Sequence, residues 1–470
     1  MAAQLDLTLL EPHAGRLQRL LPDGNGAERA AYMLLGQAAV TTDPWSGGRR
    51  LRLVSHAWRD IDPGEMVSSS GNHVTWGTGG YMRLLSDAVA GGFVPALVHT
   101  HPGSTAFFSA QDDRNEAELA RTARVKGTAG LVSLVLGGDG SVRARLWPAD
   151  GGVPADMSWV QAVGGRFRRW PGAGQDPRDP DDHLERQGRL FGPGFNDMVR
   201  SLRVGVVGAG GTGSPTAMLL ARLGIGRLLL VDKDVVDTTN LNRLHGSRRA
   251  DAVAGLSKVQ VLAREILGAE LGVEVATHQG WVGDALARDM LKACDFVFGC
   301  TDDHSGRQLL NRLAYFYGIP VIDVGLRMAP ARVGHAHDIV GRVTTLSPGR
   351  PCLICGGVVN PRRAAEEALE RADPEEFQRR KAEAYVIGSG DPAPAVVTFT
   401  TEMASVAVNE MLAALTGFHG EAGMVPTRTR RFHVRDDRFL AVRQTDACPV
   451  CGTPSVWGRG DTDPFLDMIG

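Results

Sequence analysis

Apolar residues along the first third of the chain fall into runs of strand length separated by stretches with helical spacing. AAYMLLGQAAV (30–40), LRLVSHAWRD (51–60) and VPALVHTH (94–101) predict strands, being short, apolar or alternating. GYMRLLSDAVAGG (80–92) and AQDDRNEAELARTARVKG (110–127) space their apolar residues as helices do. LVSLVLGGDGSVRARLW (131–147) predicts a hairpin that turns at Gly137–Gly140. These elements predict one α/β domain over residues 1–165.

RWPGAGQDPRDPDDH (169–183) is rich in Pro, Gly and Asp and predicts a linker, placed at 166–182. From 183 to 470 the pattern changes. LRVGVVGAGGTGSPTAMLLARLGIGRLLLVDKD (202–234) reads as strand, Gly-rich turn, helix and strand, a βαβ unit. KVQVLAREILGAE and RQLLNRLAYFYG then alternate, as helices, with the strands ACDFVFGCTDD and IPVIDVG. Such alternation predicts a parallel sheet covered on both faces, so the expected fold class is α/β with two domains. RRAAEEALERADPEEFQRRKAEAY (362–385) is charged and helix-prone, and is expected to be a solvated surface insertion.

Composition narrows the possibilities. A length of 470 residues fits two or three domains. A net charge of −2 gives no strong pull toward nucleic acid or an anionic membrane. No apolar run reaches the ~18 residues of a membrane span, and the N-terminus lacks the basic-then-apolar pattern of a signal peptide. A cytoplasmic chain with neither nucleic acid nor membrane as partner is therefore expected. Four of the six cysteines form two C-x-x-C pairs, which favours metal over disulfides.

The first chemical constellation is LVHTHPGSTAFFSAQDD (97–113). On a strand, His99 and His101 face the same side. Pro102 and Gly103 end that strand, and Ser109-x-x-Asp112 reads as a capping box opening the next helix. Two imidazoles, a carboxylate and a water make the donor set of a catalytic zinc. Spacing alone leaves a metal site balanced against a strand and a capped helix that carry two histidines.

H-x-H-P, six residues, then S-x-x-D resembles the motif of the JAMM (JAB/MPN) metallopeptidases at every fixed position: His99, His101, Pro102, Ser109 and Asp112. The resemblance implies a catalytic zinc on His99, His101 and Asp112, with Ser109 polarising the scissile carbonyl. It implies a general acid/base glutamate near the domain start, matched by Glu28 in GAERAAYMLLG, with Glu65 in IDPGEMV as the alternative. It also implies cleavage of peptide or isopeptide bonds after the C-terminal Gly of a ubiquitin-like protein.

The second constellation is VVGAGGTGS (206–214), which sets Gly208, Gly210, Gly211 and Gly213 between a strand and a helix. Glycines let the backbone approach a phosphate, and the helix N-terminus favours an anion. Asp232 stands near the ribose-binding position of the dinucleotide fingerprint. Taken alone, this would suit an NAD-dependent oxidoreductase.

DKDVVDTTNLNRLHG, LSKVQ and CTDDHSGR follow in an order that resembles the ThiF/MoeB/HesA family, the adenylating domain of ubiquitin-activating-type enzymes, over about 183–455. The resemblance implies that Asp232 binds the ribose of ATP, that Asn240, Arg243 and Lys258 contact its phosphates, and that Asp302 holds Mg²⁺. Arg186 in LERQGRLFG would be an arginine finger reaching the neighbouring subunit's ATP, which implies a homodimer. Leu244 departs from the glutamine usual after that Arg. A C-terminal carboxylate attacking the α-phosphate spreads anionic charge that Arg, Lys and Mg²⁺ would stabilise.

Cys352-x-x-Cys355 and Cys448-x-x-Cys451 are each followed by Gly and would give four thiolates to a structural zinc, a redox pair being the other reading. The same two pairs occur in many members of the ThiF/MoeB family. Some of those relatives carry a thioester cysteine beyond the first knuckle, but residues 356–447 here contain none. Cys294 and Cys300 remain, on an apparently buried strand where cysteine is a common core residue, so a released acyl-adenylate is the expected product, with Cys300, near Asp302, as acyl acceptor the alternative.

The expected function joins both halves. The chain would trim a ubiquitin-like or sulfur-carrier protein to its C-terminal Gly and adenylate the exposed carboxylate. A conjugating enzyme or a sulfur donor would act next. A tail-binding module without catalysis is the alternative.

Overall fold

The computed structural model describes residues 3–21, 26–69, 74–172, 182–329, 337–382 and 394–462. Its first strands are β1 (Gln4–Leu10), β2 (Ala30–Val40), β3 (Arg50–Asp60), β4 (Met66–Ser69), β5 (Val74–Trp76), β6 (Val94–His101), β7 (Gly130–Gly137), β8 (Val142–Pro148), β9 (Ala155–Asp156), β10 (Trp159–Val163) and β11 (Phe167–Pro171). Then come β12 (Arg203–Val207), β13 (Arg227–Val231), β14 (Glu274–His278), β15 (Phe296–Gly299), β16 (Val321–Ala329), β17 (Asp338–Leu346), β18 (Thr427–Arg431) and β19 (Asp436–Phe439). The helices are α1 (Glu11–Arg19), α2 (Thr78–Gly91), α3 (Ala110–Val125), α4 (Glu185–Phe191), α5 (Phe195–Ser201), α6 (Gly213–Arg222), α7 (Arg249–Ala254), α8 (Lys258–Leu267), α9 (Ala285–Leu291), α10 (His304–Phe316), α11 (Pro361–Ala372), α12 (Pro374–Ala382) and α13 (Val397–Thr416).

The first sheet runs β11-β10-β1-β3-β2-β6-β7-β8-β9. Every residue of β6 is buried, because both faces of the sheet are covered. Val94, Ala96 and Val98 enter one apolar core with Leu7, Leu9 and Met33. Leu97 enters the opposite core, beside Tyr81, Leu84 and Leu85 of α2. By the two-residue period of a strand, His99 and His101 continue the Leu97 face. The second sheet runs β14-β13-β12-β15-β16-β17-β18-β19. Its first five strands are parallel, and β17, β18 and β19 add antiparallel to that edge. The architecture is α/β, and among the described residues no helix is long and apolar enough to cross a membrane.

One expectation needs correction. The linker drawn from 166 begins too early, because Phe167–Pro171 is β11, paired with β10, and Phe167 is buried. The Pro/Gly/Asp composition dominates only after that strand, and residues 173–181 lie outside the described residues. The charged stretch at 362–385 is mostly exposed or half-buried over its described residues. It breaks at Asp373 into α11 and α12, which bury Ala364 and Phe377, while residues 383–385 lie outside the described residues.

The two halves share a core. Leu10, Ala38, Val54, Val163 and Phe167 from the first half join the cluster formed by β12, β15 and their covering helices. Beside it lies a buried ion network. Arg50 on β3 pairs with Asp6 on β1 at 2.5 Å and with Asp43 at 2.9 Å. Arg203 on β12 reaches Asp6 at 3.2 Å and Asp295 at 3.4 Å. Asp295 also meets Arg52 at 3.1 Å and Arg169 at 2.6 Å. Residues near the C-terminus return to the first sheet, where the Asp461 backbone N–H donates to the Gln37 carbonyl at 2.5 Å.

Candidate functional site

Strand end, strand start and helix start meet at one point. Ser109 caps α3, its Oγ accepting from the Asp112 N–H at 3.2 Å while the Ser109 N–H donates to Asp112 Oδ2 at 2.7 Å. The box fixes Asp112 toward β6: its carboxylate lies 3.4 Å from His99 Nε2 and 3.6 Å from His101 Nε2. Asp113 turns elsewhere, pairing with Arg145 at 2.6 Å. Strand register places the glutamate. Ala30 of β2 pairs with His99, so the chain just before β2 runs alongside His101. Glu28 Oε1 lies 3.8 Å from His101 Nε2, and Glu28 is buried. Glu65 is engaged elsewhere, accepting from the Gly80 N–H of α2 at 3.0 Å and pairing with Arg83 at 2.5 Å.

Burial pushes the Glu28 carboxyl up to about 7, against a smaller lowering by His99. Burial and the neighbouring imidazole lower His101, favouring the neutral form that binds metals. Burial opposes ionisation of Asp112, yet His99 and Ser109 hold its carboxyl well below the ordinary range. The donor set fits a metal ion. Ligand atoms of His99, His101 and Asp112 all lie within 4.8 Å of one another, and buried His99 Nε2 makes no hydrogen bond among the described residues. Two imidazole nitrogens and one carboxylate oxygen suit zinc.

The second site is a cleft at the turn between β12 and α6. Gly208 adopts φ +92°, and a Cβ there would stand 2.6 Å from the Cys300 carbonyl oxygen, so the turn needs glycine. Gly208, Gly210 and Gly211 line the cleft, with Gly213 behind them as the first residue of α6. Asp232, Asn240, Arg243, Lys258 and Asp302 line it too. The Asp232 carboxylate accepts from the Ala209 N–H at 2.6 Å and the Asp234 N–H at 2.8 Å, and burial raises its pKa. Lys258 Nζ lies 2.7 Å from Asp234. Arg243 donates to the Thr239 carbonyl at 2.6 Å, and Asn240 Oδ1 accepts from the Asp237 N–H at 3.1 Å. Arg186 is exposed on α4 and does not line this cleft.

Cys300 also lines the cleft, but burial pushes its thiol up to about 12. Cys294 is fully buried and raised likewise to about 12. A thiol held so far above neutrality is a poor nucleophile. Cys300→Ser is expected to retain full transfer of the activated tail, measured by product formation with ATP and carrier. Loss of transfer with adenylation intact would contradict this.

Cys352, Cys355, Cys448 and Cys451 form the third group, their sulfurs within 4.8 Å of one another. Cys352 Sγ lies 3.5 Å from Cys448 Sγ, and Cys355 Sγ 3.5 Å from Cys451 Sγ. All four thiols are free and converge from segments far apart in sequence, an arrangement that suits a closed tetrahedral zinc. Among the cleft residues that sequence reasoning passed over is Trp281. Its signal is a lone aromatic beside Gly280, just past the end of β14.

Residues 184–450, more than half of the chain, match the family model described as the ThiF family. Residues 12–149 match the model described as prokaryotic homologues of the JAB domain. Among curated relatives, the SAMP-activating enzyme E1 of Haloferax volcanii is 33% identical over 166 residues, covering 35% of this chain and 56% of that protein. Adenylyltransferase and sulfurtransferase MOCS3 of Mus musculus is 35% identical over 153 residues, covering 32% of this chain and 30% of that protein. The chain thus spans about half, or less, of the length of these relatives. Among solved structures, E. coli MccB with ATP is 18% identical with a TM-score of 0.43, covering 58% of this chain and 75% of that one.

Proposed function

The chain belongs to the ThiF family and carries an N-terminal JAB domain, and from that premise we propose that it trims and activates a protein tail ending in glycine. The observation that carries the activating half is the single cleft that gathers Asp232, Arg243, Lys258 and Asp302 around a glycine turn. Asp232 would accept hydrogen bonds from the ribose hydroxyls of ATP. Backbone N–H groups of the turn and the N-terminus of α6 would take the phosphates, with Asn240 at their edge. Arg243 and Lys258 would neutralise charge as the tail's carboxylate oxygen bonds to the α-phosphorus and the bond to pyrophosphate breaks. Asp302 would hold Mg²⁺, which supplies further charge neutralisation on the phosphates when bound. Arg186, which does not line its own cleft, would serve the cleft of a second copy in a homodimer.

In the JAB half, His99, His101 and Asp112 would hold zinc, which when bound polarises a carbonyl and acidifies water. Glu28 would take the proton of the attacking water and pass it to the leaving amine. Ser109 orients Asp112 and would polarise the scissile carbonyl. The four cysteines would hold a structural zinc that ties the C-terminal segment to the core. The acyl-adenylate would pass to a sulfur donor or a conjugating enzyme.

Exchange of labelled pyrophosphate into ATP tests the activating half. Exchange that requires a Gly-ended ubiquitin-like carrier is expected. Lys258→Ala is expected to lower it by about 10²–10³-fold, the usual loss for a group that stabilises transition-state charge. Tight NAD binding without exchange would sink the reading.

A further inference from the structure

We propose that Trp281 is the surface on which the purine base of the bound nucleotide rests, and that Arg371 on α11 holds it in place; this rests on the adenylation reading above. A base is joined directly to its ribose, so the base must lie beside whatever binds the ribose. Asp232 closes β13, and β14 is the neighbouring parallel strand. The chain leaving β14 stays against Asp232: the Gly280 N–H donates to the Asp232 carbonyl at 3.2 Å. Trp281 follows immediately and lines the cleft, as its one aromatic side chain among the described residues. A flat apolar ring is the partner a purine stacks on, whatever its edge pattern.

The indole is held by two partners. Its Nε1–H donates to Asp303 Oδ2 at 3.2 Å, and Asp303 caps α10 by accepting from the Gly306 N–H at 2.7 Å. The Arg371 guanidinium lies 3.8 Å from the ring centroid, and Arg371 does not itself line the cleft. α11 is anchored by Glu367, which accepts from the His304 N–H at 3.1 Å and the Ser305 N–H at 2.7 Å. A side chain fixed by a hydrogen bond and a cation–π contact loses little freedom when a ligand arrives. The charged surface segment therefore also supports the nucleotide wall.

Calorimetric titration of the full chain, with Mg²⁺, against ATP and against inorganic tripolyphosphate tests the assignment. Tripolyphosphate reports the phosphate end alone. Trp281→Ala is expected to weaken ATP about 5- to 100-fold, the range of one base–aromatic stack, and to leave tripolyphosphate within about twofold. Trp281→Phe should recover most of the affinity, and Arg371→Gln should lose a smaller part of it. Unchanged ATP binding by Trp281→Ala would overturn the assignment. So would an equal loss for both ligands, since that marks a merely structural residue. Failure of the adenylation reading looks different, because the wild type itself would then not bind ATP.

Discussion

Glu28→Gln is expected to abolish cleavage after a C-terminal glycine while leaving the metal content of the protein unchanged. The substitution keeps the shape and hydrogen-bonding reach of the side chain but removes its ability to carry a proton. Glu28 is buried beside His101, 3.8 Å from its Nε2, yet it is not among the three residues whose ligand atoms converge. Positioned general acid–base groups contribute about 10²–10⁴-fold, so hydrolysis of a ubiquitin-like fusion should fall by that factor. His101→Ala should instead lose the metal, read by atomic absorption. Glu65→Gln should cleave normally, because that carboxylate is engaged with α2 and Arg83. Wild-type turnover by Glu28→Gln would remove Glu28 from the mechanism.

The same residues mark how far the sequence could be read. The pair His99 and His101 is legible because a strand repeats every two residues, and Asp112 because a capping box fixes where its carboxylate points. Choosing Glu28 over Glu65 on geometry is not legible, because it depends on β2 pairing with β6 so that Ala30 meets His99. The glycine turn and Asp232 announce the proposed nucleotide site through local rules alone. Trp281 does not, since its proposed role depends on β14 lying next to β13 and on α11 folding back from some ninety residues further along. Arg50 and Arg52 are harder to place from sequence. They alternate with leucines on β3, and the second half of the chain covers their face, so both are buried.

Asp295→Ala is the substitution expected to cost most in stability, because of that covered face. Asp295 is fully buried just before β15. Burial opposes its ionisation, yet Arg169, Arg203 and Arg52 outweigh the cost and hold its carboxyl well below the usual range. Removing the carboxylate leaves Arg50, Arg52, Arg169 and Arg203 buried with, among the described residues, Asp6 and Asp43 as their remaining counter-charges. Guanidinium groups do not shed their protons to escape this. Breaking one partner out of a buried ion pair costs about 3–5 kcal/mol, and here three arginines share the one that is lost. The network joins β1, β3 and β11 to β12 and the start of β15, so the loss should reach both halves. Heating should inactivate peptide cleavage and adenylation together, at a lower temperature than in the wild type. Adding Arg52→Met should recover part of the loss by deleting an uncompensated charge, a coupling that a double-mutant cycle reads directly. An unchanged melting temperature, or loss of one activity alone, would mean that the network does not bind the halves into one cooperative unit.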